Sequence, residues 1–148
     1  MQENKELLNW AMGYCSRAEH CVYDVSEKLR AMDADEACIE DVVQRLVELD
    51  FINELRYAQA FVSDKFRFNK WGKVKIAHAL RQKKVALDII QQALEEIDDA
   101  AYESTLLQLI ATKQKKQKET TAQLRAAVVR FALSRGFEYE VIMRVLHS

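Results

Sequence analysis

The chain predicts an all-α fold, a tandem array of three three-helix repeats, elongated or curved, and three observations carry that prediction. It has 148 residues, no proline and only three glycines, Gly13, Gly72 and Gly136. Hairpins and sandwiches need Gly, Asn or Pro at their reversals, so a chain this poor in turn formers is built of helices. Apolar residues recur at helical spacing, as in Val42, Leu46 and Leu49 or Ile89, Ile90, Ala93 and Leu94, which gives each segment one face to bury. The third observation is self-similarity. ALRQKKVALDIIQQAL (79–94) aligns with FALSRGFEYEVIMRVL (131–146), placing Val85 on Phe137, Ile89 on Val141, Ile90 on Ile142 and Leu94 on Leu146. Repetition at about 45 to 50 residues marks a helical array whose units bury their faces against their neighbours.

Taken in order, the first unit (1–53) has helices at 5–18, 22–31 and 35–48. The second (54–96) has them at 54–68, 71–82 and 86–96, and the third (97–148) at 98–118, 121–134 and 138–146. In the first unit KLRAMDADEACIEDVVQRL (28–46) follows the same plan with a turn expected to be three residues longer. Asn69 is the expected N-cap before Trp71, and Thr120 or Thr121 the expected cap of the third unit's second helix. Gly136 falls where a helix C-terminus wants a left-handed residue, and its counterpart in the second unit is Lys84, which adopts that conformation less readily. Array logic predicts that deleting the third unit after Glu96 costs one interface and leaves the first two folded.

Composition excludes several classes of function. A hydrophobic content of 49% rules out wholesale disorder. No window approaches the roughly 18 uncharged apolar residues of a membrane span, and MQENKELLNW lacks the order of a signal peptide. A cytoplasmic protein is expected, with no membrane association. Cys15, Cys21 and Cys38 are irregularly spaced and form no CxxC pair, as reduced structural thiols would be. His20 and Cys21 are adjacent, and neighbours on a helix point about 100° apart, so they make a poor metal pair. No metal and no cofactor is expected. Phosphate-binding and metalloprotease motifs are absent, and His20, His78 and His147 stand apart without a nucleophile at recognisable spacing. The chain reads as a binding protein with no catalytic residues.

What it binds is written in its charge. The formal net charge is −1, but residues 1–54 carry 5 Lys and Arg against 13 Asp and Glu, while 55–96 carry 9 against 4 and 97–148 carry 8 against 6. Between 65 and 87 stand Lys65, Arg67, Lys70, Lys73, Lys75, Arg81, Lys83 and Lys84, with no acidic residue. Phe66, Phe68 and Trp71 interleave with them, a mixture that suits a nucleic-acid strand. Trp71 has two readings, stacking on a base or packing between helices. Lys73 and Lys75 diverge by about 200° on a helix, so Lys73 with Arg81 and Lys84 makes the more coherent stripe. A second cluster, Lys113, Lys115, Lys116 and Lys118, exceeds what complementing a helix dipole requires, and Arg125, Arg130 and Arg135 are candidates to extend it. A DNA-reading helix-turn-helix around Gly136 is disfavoured, because Glu138 and Glu140 open the would-be recognition helix and repel phosphate.

The segment FINELRYAQAFVSDKFRFNKWGKVKIAHALRQKKV (51–85) resembles the RecX family of regulators of the RecA recombinase. The likeness lies in the loop Phe51-Ile52-Asn53-Glu54, in Arg56-Tyr57-Ala58 opening a helix, in the basic stretch, and in Gly72, Lys75-Ile76 and Leu80 before a basic turn. Family members often carry Asp near Asn53 and Gly at the position of Lys84, and this chain departs at both. The resemblance implies three tandem three-helix repeats, and a monomer is expected. It also implies a regulator, in most cases an inhibitor, that lies in the groove of the RecA–DNA filament, contacts protein and DNA, and affects recombination, DNA repair and the SOS response. The acid-free stretch and the lack of a base-reading helix predict that single- or double-stranded DNA is bound without sequence preference. Alternatives from the residues alone are a sequence-independent DNA-binding module and a helical adaptor between proteins.

Overall fold

The computed structural model describes residues 2–116 and 121–147, and all regular structure among them is helical. The first unit contains α1 (Gln2–Arg17), α2 (Val22–Ala31) and α3 (Glu36–Glu48). The second contains α4 (Glu54–Arg67), α5 (Lys73–Gln82) and α6 (Leu87–Leu94). The third contains α7 (Asp99–Lys116), α8 (Thr121–Ser134) and α9 (Tyr139–His147). The main helix pairings run within units, with α3 against α1 and α2, α6 against α4 and α5, and α7 against α8 and α9.

One turn is used three times. In each unit the second helix ends in a left-handed residue, Asp33 (φ 66°), Lys84 (φ 61°) or Gly136 (φ 95°). The amides of Ala34, Val85 and Phe137 reach back to the carbonyls of Leu29, Leu80 and Ala132 at 3.1, 3.2 and 3.2 Å. Those of Asp33, Lys84 and Gly136 reach the carbonyls of Arg30, Arg81 and Leu133 at 3.0, 2.9 and 2.9 Å. This is the paired hydrogen-bond closure of a Schellman end, with an apolar residue seated just beyond it. The residues after the turn then align: Ile39, Ile90 and Ile142 are buried, as are Val42, Ala93 and Val145. Lys84 therefore holds the conformation its glycine counterpart does, at a cost of about 1 to 2 kcal/mol for an L-residue.

Two local expectations change. The turn of the first unit is no longer than the others, since each spans four residues, 32–35, 83–86 and 135–138. Its extra length lies in α3, which has 13 residues against 8 in α6. Asn69 is not the cap of α5: that helix starts at Lys73 and Gly72 is its N-cap residue. The candidate cap Thr120 lies outside the described residues, and Thr121 opens α8.

The apolar core divides in two. Ala11, Val25, Leu29, Ile39, Val42, Leu46 and Ile52 belong to one cluster, confined to the first unit. The other runs without a break from Tyr57, Val62, Ile76 and Leu80 in the second unit to Tyr102, Leu106, Val128, Phe137 and Ile142 in the third. It also takes in Cys21 at the entry to α2. Deleting the third unit would thus cut through a core.

Candidate nucleic-acid interface

The second and third units meet backbone against backbone. The Gly72 amide donates to the Arg135 carbonyl at 2.7 Å and the Val74 amide to the Gly136 carbonyl at 2.9 Å. A Cβ on Gly72 would lie 2.4 Å from the Gly136 carbonyl carbon and oxygen, and one on Gly136 would lie 2.3 Å from the Lys75 Cβ. Only hydrogen fits at either position. Beside this contact the Lys73 amide donates to the Tyr102 hydroxyl at 2.8 Å, and that hydroxyl donates to the Glu138 carboxylate. Burial, with the bond to Glu138, raises the Tyr102 pKa far above its ordinary value. Glu138 is thereby committed to holding the start of α5 against the third unit.

This junction sorts the basic residues. Lys75 and Lys65 converge on the Trp71 ring, with their ammonium groups 4.6 and 5.0 Å from its centroid. Lys73, on the other side of α5, lies over Tyr102 at 4.8 Å. Next to Lys75, Arg135 donates to the Asn69 carbonyl at 3.1 Å and lies 5.8 Å from the Phe131 ring. Lys113 lies over the same ring at 5.4 Å. A continuous run of contacts thus leads from Lys65 and Lys75 around Trp71 to Arg135 and Lys113 around Phe131. Lys113 of the second basic cluster is thereby brought beside the first cluster, across the junction.

The other cations are distributed differently. Arg67 lies 5.8 Å from the ring of Phe68, and Lys70, itself left-handed (φ 58°), donates to the Arg67 carbonyl at 2.9 Å. Arg81 is exposed at the last turn of α5. The acid-free stretch is not free of counterions in space, because Lys83 pairs with Asp24 of the first unit at 2.7 Å. Lys83 and Lys84 both lie over Tyr23, at 5.8 and 6.0 Å. The stripe Lys73, Arg81, Lys84 therefore spans α5 from the third unit to the first. Lys115 is exposed, the Lys116 side chain and Lys118 fall outside the described residues, and Arg125 pairs with His147 at 3.1 Å.

The rings divide as well. Trp71 is partly buried against the core, and Phe66 packs on Tyr102 with centroids 5.8 Å apart. Phe68 is 75% exposed, so it is the ring of the three that is presented to solvent. Sequence reading missed Tyr102 as the pin of the junction. Two of the chain's three glycines, Gly72 and Gly136, stand at this junction, but nothing local in the sequence names either one's partner.

Elsewhere the titratable groups do structural work. Burial pushes the Cys21 thiol up to about 11, and its sulfur accepts from the Asp24 amide at 3.5 Å to cap α2. Burial also raises the Cys15 thiol and lowers His20, which stacks on Tyr14 at 3.9 Å. Among the described residues no group of three or more His, Cys, Asp or Glu is placed to hold a metal ion. No helix among them is long and apolar enough to cross a membrane.

The second three-helix domain of RecX matches residues 53–94, and the third three-helix domain of RecX matches residues 101–146. The chain belongs to the RecX family. The two matched RecX domains are those that meet at Gly72 and Gly136. The regulatory protein RecX of Prosthecochloris aestuarii is 30% identical over 144 residues, covering 97% of this chain and 93% of that protein. The regulatory protein RecX of Lactobacillus gasseri is 31% identical over 109 residues, and the match spans only 40% of its length. The crystal structure of RecX from Lactobacillus salivarius has the same fold, with a TM-score of 0.89 at 22% identity over 99% of this chain and 96% of that one. Membership of the RecX family fits a regulatory role.

Proposed function

We propose that this protein regulates RecA, as an inhibitor, by binding the RecA–DNA filament, and so limits recombination, DNA repair and SOS signalling. It acts in the cytoplasm and without catalysis of its own. Family membership supports the regulatory role. The observation that carries the DNA contact is the basic surface gathered at the junction of the second and third units, where Lys65, Lys75, Arg135 and Lys113 converge around Trp71 and Phe131. Four cations held on rings, with no base-reading helix among them, suit phosphates in a sequence-independent contact. The remaining cations of the basic stretch flank this surface. Lys83 is the least available, because Asp24 holds it.

The test is RecA ATPase on single-stranded DNA with substoichiometric amounts of this protein, alongside fluorescence anisotropy of labelled DNA with the protein alone. Inhibition at ratios well below one per RecA is the expected result. ATPase that falls only in step with DNA occupied by the protein would mark a DNA-binding module. No effect on ATPase and no DNA binding would mark an adaptor.

A further inference from the structure

The first unit borders a groove of opposite character. Val47, Ile52, Leu55 and Ile89 line a depression of about 310 Å³ where the end of α3 meets the second unit, with Asp50 beside them, while the Glu54 carboxylate turns away to the Val22 amide. Val47 is 47% exposed and its neighbour Leu49 is 56% exposed, so apolar side chains here face water. The surroundings are acidic. Glu48, Asp50 and Asp88 are exposed, and residues 1–54 carry 13 Asp and Glu against 5 Lys and Arg. Arg56 answers Asp50 at 3.2 Å, but the same guanidinium is shared with Glu19 at 2.6 Å. Apolar lining within an acidic surround repels nucleic acid and favours lysine or arginine flanking a large apolar side chain.

We propose that this groove docks a cationic, apolar-faced segment of a protein partner, on a surface separate from the nucleic-acid contact. The groove's chemistry stands by itself, whereas assigning the segment to the RecA filament rests on the function proposed above. Division of labour follows: phosphates meet the basic surface of the second and third units, and protein meets the acidic groove beside the first.

The test uses the full chain, labelled with nitrogen-15, and an amidated amphipathic helical peptide of leucine and lysine, with its leucine–glutamate counterpart as control. The lysine peptide is expected to shift the amide resonances of Val47, Ile52, Leu55 and Ile89 saturably, and the glutamate peptide to leave them in place. Val47→Lys combined with Glu48→Lys, both on the exposed side of α3, should weaken the peptide by about tenfold or more with helicity unchanged. Shifts centred on α5, equal binding of both peptides, or unaltered binding by the variant would overturn the assignment. Self-association abolished by the same variant in sedimentation would make a second copy the occupant and overturn it as well. Wild-type protein that takes the peptide in the groove yet ignores the RecA filament would sustain the groove and sink the RecA reading.

Discussion

The two junctions between units are built from different materials. Between the second and third, two backbones touch through Gly72 and Gly136, one apolar core crosses the boundary, and Tyr102 links the Lys73 amide to Glu138. Between the first and second, most of the specific contacts are polar: Lys83 to Asp24 at 2.7 Å, Arg56 to Glu19 at 2.6 Å, and the Val22 amide to the Glu54 carboxylate at 3.3 Å. Cys21 is the buried apolar residue of the first unit that joins the second core. Contacts of the first kind fix geometry to fractions of an ångström, because close-packed atoms have one arrangement. Ion pairs between partly exposed side chains are worth about 0 to 1 kcal/mol and weaken with salt. The basic surface is built at the rigid junction, which holds its cations at set spacings.

Truncation should have the largest effect, because it removes half of the shared core. A chain ending after Glu96 loses Tyr102, Leu106, Val128 and Phe137 from a shared core. It is expected to lose the cooperative melting of the second unit while the first, with its own cluster, keeps a transition of its own. Hydrogen exchange resolved by unit checks this: protection retained across α4 to α6 would show that the second unit stands without the third. Next in size is Gly72→Ala. Its Cβ would sit 2.4 Å from the Gly136 backbone, and relief of that overlap must separate the two units. A loss above about 3 kcal/mol in urea unfolding is expected. Tyr102→Phe is milder, stranding the Lys73 amide and the Glu138 carboxylate at a cost of about 1 to 3 kcal/mol, seen as a lower melting temperature.

Much of this architecture was legible in the sequence, for local reasons. Val85 on Phe137 and Ile90 on Ile142 aligned correctly because both pairs are set by one helix-end geometry acting through short-range hydrogen bonds. The first turn reads as three residues longer than it is because Asp33 does the work of a glycine without looking like one. Local sequence puts the start of α5 too early, at Trp71. Its true boundary is set by Gly72, whose backbone is held by the third unit, and no local signal encodes that contact. The same limit applies to the candidate site. The cations were readable as a cluster, but their sorting was not: Lys83 finds its counterion 59 residues away, and Arg135 reaches Asn69 across 66. Partners that distant in sequence belong to tertiary structure.

The polar junction has a pH signature of its own. Burial raises the Glu54 carboxyl above the usual carboxylate range; the Val22 amide opposes that and Asp24 adds to it. A folded-state pKa above the unfolded value means that the folded chain keeps this proton to higher pH. The stabilising contribution is present at low pH and lost as pH rises through the folded value. Glu54→Gln keeps an oxygen for the Val22 amide and removes the buried charge. It should raise stability at neutral pH by a few tenths to about 1 kcal/mol, and flatten the dependence above the carboxylate range. Melting temperatures from pH 4 to 8 decide it, and a variant less stable than the parent at pH 7 would be the contrary result.

If nucleic acid is held at the rigid junction and not at the polar one, as proposed, the two junctions respond differently to loss of their cations. The salt dependence of duplex DNA affinity, measured by anisotropy for two double variants, tests this. Lys65→Gln with Lys75→Gln removes the pair on Trp71, while Lys83→Gln with Lys84→Gln removes the pair beside Tyr23. Each phosphate contact contributes about 0.9 to the slope of log affinity against log salt, so the first variant should flatten the slope by about 2 and the second by less than half of that. Equal slopes for the two variants, or a flatter slope for the second, would contradict it.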